Sequence, residues 1–180
     1  MEYTIIRSNR KTISIQITPE GEVVVRCPNR TPKKDIQAVV ESKRGWIEAN
    51  LQKIAARPAL PRLTQAQLYT LALQAKDALP KLVRQYAPKV GVTYGRITIR
   101  AQHTRWGSCS SQGNLNFNCL LMLAPVSVQT YVVVHELCHR REMNHSDRFW
   151  KEVERILPDY RVPKKWLKDN GSALMARLPE

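Results

Sequence analysis

The chain has 180 residues, 43% of them apolar and only 7 of them glycine, a globular rather than a disordered composition and enough for one domain or two small lobes. Twenty-nine Lys and Arg against fifteen Asp and Glu leave a net charge of +14. A large multi-domain machine is excluded, no unbroken apolar run reaches the length of a membrane span, and a chain of this size can bury a sizeable core without disulfides or a structural metal.

Residues 3–6 read as a first strand. Ile13, Ile15 and Ile17 then alternate with polar residues, Thr18-Pro19-Glu20-Gly21 forms a turn, and Val23, Val25 and Cys27 resume the alternation. The pattern predicts a half-buried hairpin joined by the first strand into a β meander. Thr31 is placed to cap a helix with Pro32 in its first turn, and Ile36, Val40, Ile47, Leu51 and Ile54 recur at helical spacing, with Gly45 as a bending point. Pro58 and Pro61 close this part. The expected division is therefore an N-terminal region over 1–57 and a catalytic region over 58–180, together one compact unit.

Thr64, with Gln67 three residues on, makes a capping box for a second helix through Leu68, Leu71, Ala72, Leu79, Leu82 and Tyr86. Pro80 should kink or split it. Val92, Tyr94, Ile97 and Ile99 predict a strand over 92–100 with a phase slip near Gly95. After a loop over 104–113, Leu115, Phe117, Cys119 and Leu121 share one face of a strand while Asn114, Asn116 and Asn118 share the other, an exposed or substrate-facing side. Residues 171–180 are expected to fray.

The chemistry concentrates in Val132-Val133-Val134-His135-Glu136-Leu137-Cys138-His139, which contains H-E-x-x-H. Three valines favour a strand. Apolar residues on nearly every side of the segment from Pro125 onward argue instead for a buried helix, where packing outweighs propensity. On a helix His135 and His139 share a face and can converge on one zinc at about 2.0–2.1 Å. Glu136 is turned by about 100° from His135, within reach of a water on the metal. Zinc brings the pKa of such a water toward about 7 and the carboxylate can take its proton, a pattern that suits hydrolysis.

A catalytic zinc usually takes a third protein ligand. His145 is the candidate if the helix stops after His139, with Asn144 as a left-handed stop and Ser146 capping the next helix, whose buried stripe is Phe149, Trp150, Val153, Ile156 and Leu157. If the first helix runs on, Glu142 lies nearer, and Glu152 and Glu154 compete. His103 stands apart as a loop histidine, and Cys138 reads as core filler. Arg105-Trp106-Gly107-Ser108-Cys109 is either a structural turn with a packed Trp or the carrier of a cation, Arg105, for an oxyanion, carboxylate or phosphate. If the Asn-bearing strand is an edge, it can pair with an extended peptide and lay it across the zinc.

Charge is uneven: 1–57 carry eleven basic and six acidic residues, 58–118 eight and one, and 119–180 ten and eight. The basic first two-thirds suit an anionic partner such as nucleic acid, nucleotide or acidic peptide. Cys27, Cys109, Cys119 and Cys138 make no C-x-x-C pair, and reduced thiols with no secretory leader at the start lead us to expect a cytoplasmic protein.

At Arg105–Cys109, residues 113–118, His135–His139, Asn144-His145-Ser146 and Phe149-Trp150 the sequence resembles the YgjP-like metallopeptidase family, related to SprT-like proteases and minimal gluzincins. The resemblance extends over almost the whole chain and is most specific over 105–150. It implies an α+β fold with a small sheet beside the metal helix, zinc held by His135, His139 and His145, and Glu136 as general base. Metzincins share the spacing but carry glycine where this chain has Glu142. The leading expectation is a zinc peptidase acting on peptides or proteins, with Arg105 aiding the transition state. The alternatives are a metal-dependent nucleoside triphosphate pyrophosphohydrolase, and a basic nucleic-acid module with a structural metal. No Gly-rich phosphate loop or magnesium carboxylate cluster supports the former, and no nucleic-acid motif accompanies the latter.

Overall fold

A computed structural model of the chain describes residues 1–18, 21–56 and 60–179. The fold is α+β and divides into two compact units, Met1–Leu60 and Pro61–Glu180.

In the first unit, strands β1 (Thr4–Ser8), β2 (Ser14–Ile17) and β3 (Val23–Pro28) form a sheet of order β1-β3-β2. β2 and β3 make the expected antiparallel pair, Ile15 opposite Val25. β1 runs parallel to β3, Ile5 opposite Val25, so the strand order is not that of a meander. Alternation identifies a strand but leaves its neighbour open. Gly21 N–H donates to Thr18 O at 3.0 Å, with φ +90° at Gly21; Pro19 and Glu20 of that turn, like Pro58, lie outside the described residues. Val23, Val25 and Cys27 pack with Ile36, Val40 and Ile47. These last three come from two helices, α1 (Lys33–Ser42) and α2 (Arg44–Ala55). The single helix expected here breaks at Lys43, whose φ of −110° and ψ of 8° leave the helical region, rather than bending at Gly45. Its start is also corrected: extended Pro32, not Thr31, precedes the first turn, and no side chain caps it.

The second unit opens with α3 (Gln65–Val90). Thr64 and Gln67 form the capping box in both directions, at 3.2 and 2.9 Å, and Gly91 ends the helix at φ +76°. Leu71, Ala75, Leu79, Val83, Ala87 and Val90 make its buried stripe. The stripe continues through Pro80, so the expected split does not occur: packing along this face outweighs one missing backbone donor. Strands β4 (Ile97–Arg100), β5 (Gly107–Cys109) and β6 (Leu115–Asn118) follow, in the order β4-β6-β5, with β4 parallel and β5 antiparallel to β6. The Asn-bearing strand β6 is therefore central, not an edge. The asparagines on it and just before it are structural: Asn116 bridges Ser108 Oγ (3.1 Å) and Arg100 Nε (3.3 Å), and Asn114 Oδ1 accepts from Arg96 N at 3.0 Å.

A 3₁₀ turn (Cys119–Leu123) leads into α4 (Val126–Cys138), which packs against α3, β5, α5 (Asp147–Ile156) and α6 (Arg161–Met175). From Val128 through Val134 every residue of α4 is buried, so the triple valine is helical because all sides find partners. The tail does not fray over the described residues. Leu174, Met175 and Leu178 are buried, and Leu63 N–H donates to Arg177 O at 2.7 Å. No helix among the described residues is long and apolar enough to cross a membrane.

Candidate metal centre

His135 lies in the last turn of α4 and His139 is the residue that ends it, at φ −63° and ψ −17°. The chain then turns back through residues 140–145. Asn144 is not left-handed, as no described non-glycine residue has positive φ; two arginines secure the reversal instead. Arg140 Nε and Nη1 donate to Thr93 O (3.1 Å) and Ser111 O (2.8 Å), and Arg141 Nη1 donates to Val90 O (2.8 Å). Ser146 Oγ caps α5 by accepting from Phe149 N at 3.4 Å. The cap places His145 immediately ahead of α5.

The ligand atoms of His135, His139 and His145 lie within 4.8 Å of one another, so the three imidazoles can hold one metal ion. His135 Nε2 and His145 Nε2 are 3.0 Å apart, close to the separation of about 3.3 Å between two nitrogens that share a tetrahedral zinc at about 2.0–2.1 Å. The Nδ1–H of His139 donates to Glu142 O at 3.1 Å, which leaves Nε2 as the ring nitrogen with a lone pair for a metal. His135 Nδ1 is buried without a hydrogen-bond partner. Burial first, then the neighbouring imidazoles and Lys164, pushes the His135 pKa down to about 3. Burial also lowers that of His139. Both rings therefore stay neutral and keep a lone pair for a metal at neutral pH. Phe149 supports all three rings, at centroid distances of 4.8, 4.6 and 4.9 Å. The competing acids point elsewhere: Glu152 pairs with Arg155 at 2.9 Å and Glu154 with Arg161 at 3.1 Å, while Glu142 offers its backbone oxygen.

Glu136 is 5% exposed. Its burial raises the carboxyl pKa to about 8, and the charge of Arg105 works in the opposite direction. The carboxylate lies against the backbone of β5 at Gly107, where a Cβ would come within 2.7 Å of Oε1. A residue without a side chain is thus required there. The preceding loop is fastened by Asn118, whose buried Nδ2 donates to Gln102 O (2.7 Å) and Arg105 O (3.0 Å). Thr104, Arg105, Trp106, Gly107, Tyr131 and Leu167 join His135 and Glu136 around a cleft of about 250 Å³. His103 is exposed and outside the cluster, and Cys138 is fully buried.

The arrangement brings His135, His139 and His145 together, with Glu136 and Arg105 on the cleft beside them. Arg140 and Arg141 escaped the sequence reading because each acts on residues distant in sequence; Gly107 was visible only as part of R-W-G-S-C, and Phe149 only as part of a helical stripe.

The sequence matches the YgjP-like metallopeptidase domain over residues 11–73 and 63–170. Among solved structures, the metallopeptidase zymogen of Pyrococcus abyssi abylysin is 20% identical, with 50% of this chain and 92% of that chain covered at a TM-score of 0.46. The metallopeptidase zymogen of Methanocaldococcus jannaschii jannalysin is 18% identical, with 51% and 97% covered at a TM-score of 0.42. No curated protein matches.

Proposed function

The chain belongs to the YgjP-like metallopeptidase family, and from that premise we propose that it is a zinc-dependent peptidase in which His135, His139 and His145 hold the metal and Glu136 is the general base. The observation that carries this reading is the meeting of three imidazoles around one point with a buried carboxylate next to one of them. Three neutral nitrogen donors suit zinc better than magnesium or calcium, which prefer oxygen. Zinc bound there would supply Lewis acidity, acidifying a water and polarising a carbonyl.

Glu136 takes a proton from the attacking water on its carboxylate oxygen and delivers it to the departing amine nitrogen. Burial, which raises the carboxyl pKa to about 8, favours the proton-delivering half of that exchange, while the charge of Arg105, and that of a metal ion held by the imidazoles, would favour the carboxylate that accepts the proton. Gly107 leaves the carboxylate room against β5. Arg105 offers a cation to the substrate from the cleft wall.

A peptide has a place to lie. Trp106 O accepts from Asn118 N, and Ser110 N donates to Asn114 O, so these residues turn their backbone toward β6. By alternation the N–H and C=O groups of Gly107 and Cys109 face the strand-free edge of β5. An extended substrate pairing with that edge passes the Glu136 carboxylate. The role first considered for the Asn-bearing strand thus passes to β5. Four free cysteines fit a reducing, cytoplasmic location.

The test is cleavage of an unfolded protein such as casein. Activity should vanish with a chelator, return with zinc, and be reduced at least about a hundredfold in Glu136→Gln. Undiminished cleavage by that variant would remove Glu136 from the reaction.

A further inference from the structure

Two cations, Arg105 on the cleft and Lys164 near it, form no ion pair with a carboxylate among the described residues. Arg105 lines the cleft wall and is exposed; its charge reaches Glu136, yet no ion pair joins them among the described residues. Lys164, on α6, stands 3.5 Å from the Trp150 ring centre and 5.8 Å from that of Tyr160. Its charge reaches His135. Leu167, three residues later and so on the same side of α6, lines the cleft itself.

Two acids of α5 and α6 are paired with other cations: Asp169 with Lys165 at 2.5 Å and Glu154 with Arg161 at 3.1 Å. Burial, then the cations Arg161 and Lys168, lower the Lys164 pKa. Arg105 therefore puts positive charge on a cleft whose lining includes the apolar Trp106, Tyr131, Val132 and Leu167, and Lys164, one helical turn before Leu167, adds positive charge close to His135 on the same cleft. Low-polarity walls strengthen the pull of such a field on an anion. A guanidinium fork and an ammonium match one carboxylate well.

We infer that the substrate carries a carboxylate next to the scissile bond, and that Arg105 and Lys164 bind it. The inference rests on the peptidase reading and specifies its substrate class. The cleft, at about 250 Å³, has room for one side chain or one chain end. The carboxylate is accordingly either an Asp or Glu side chain or the peptide's own C-terminus.

Two sets of fluorogenic peptides separate these sources. In the first, amidated peptides carry Glu, Gln, Leu or Lys beside the cut; in the second, a neutral peptide ends one residue beyond the cut as free acid or amide. We expect kcat/KM to favour Glu over Gln, or acid over amide, by about tenfold, and the set that responds identifies the source. Arg105→Glu and Lys164→Glu should each turn the preference toward the Lys peptide, which a merely structural role would not do. Equal kcat/KM throughout both sets, or an acid preference that survives both reversals, overturns the inference and leaves peptide hydrolysis standing. A second readout does not need turnover: tryptophan fluorescence of zinc-loaded Glu136→Gln protein titrated with the same peptide pairs. Tighter binding of an acidic member, by about tenfold, is expected, and equal binding of both pairs overturns the inference even if no peptide is cut, a result that would separately refute the peptidase reading.

Discussion

At Gly107 a single hydrogen atom separates a workable site from a blocked one. A methyl group there would meet Glu136 Oε1 at 2.7 Å, Cγ at 2.8 Å and Cδ at 2.9 Å, so the carboxylate must swing away from β5. Gly107→Ala should lower kcat/KM by about a hundredfold or more while zinc content stays at the wild-type level, because proton transfer is lost and the imidazoles are not touched. Parallel kinetics and metal analysis check it. The neighbouring thiol is insulated in a different way. Burial, reinforced by Glu136, pushes Cys109 up to about 11, and burial also raises Cys119. Little thiolate exists at pH 8, so both should resist iodoacetamide in the native protein and react promptly in denaturant, as peptide mass mapping would show.

At the level of elements, local signals were readable wherever neighbours in sequence also interact. The Thr64–Gln67 box is such a case, since both of its hydrogen bonds span three residues. Thr64→Ala should cost about 1 kcal/mol, seen as a fall in Tm of about 3 °C. Ser146 was equally legible, and with it the position of His145 ahead of α5. The rest depended on partners that alternation and spacing do not name. Nothing in residues 3–6 says that β1 pairs with β3, and the asparagines of β6 have an outward pattern yet tie three strands and a loop together. Pro80 looked like a helix breaker because its neighbours' packing was invisible. Phe149 belongs to this class as well: its helical stripe marked it as core, but not as the ring beneath all three histidines. Phe149→Ala should cost about 3–5 kcal/mol, and the variant should surrender zinc to a chelator faster than wild type.

Across the molecule, the C-terminal unit Pro61–Glu180 holds every residue of the proposed site, while the net charge of +14 belongs to the whole chain. Exposed pairs such as Lys81–Asp77 and Arg44–Glu41 already cancel within that sum and contribute little stability. The metal should contribute more. A ligand that binds only the folded state at a hundred times its Kd adds about 2.7 kcal/mol, so chelation should lower the Tm of wild type and leave that of His145→Ala nearly unchanged. The most direct test of the account is the metal content of protein purified without chelators, measured by mass spectrometry for wild type, Glu136→Gln and His139→Ala. The account predicts about one zinc per chain in the first two and little in the third; a metal-free wild type, or full zinc in His139→Ala, would contradict it.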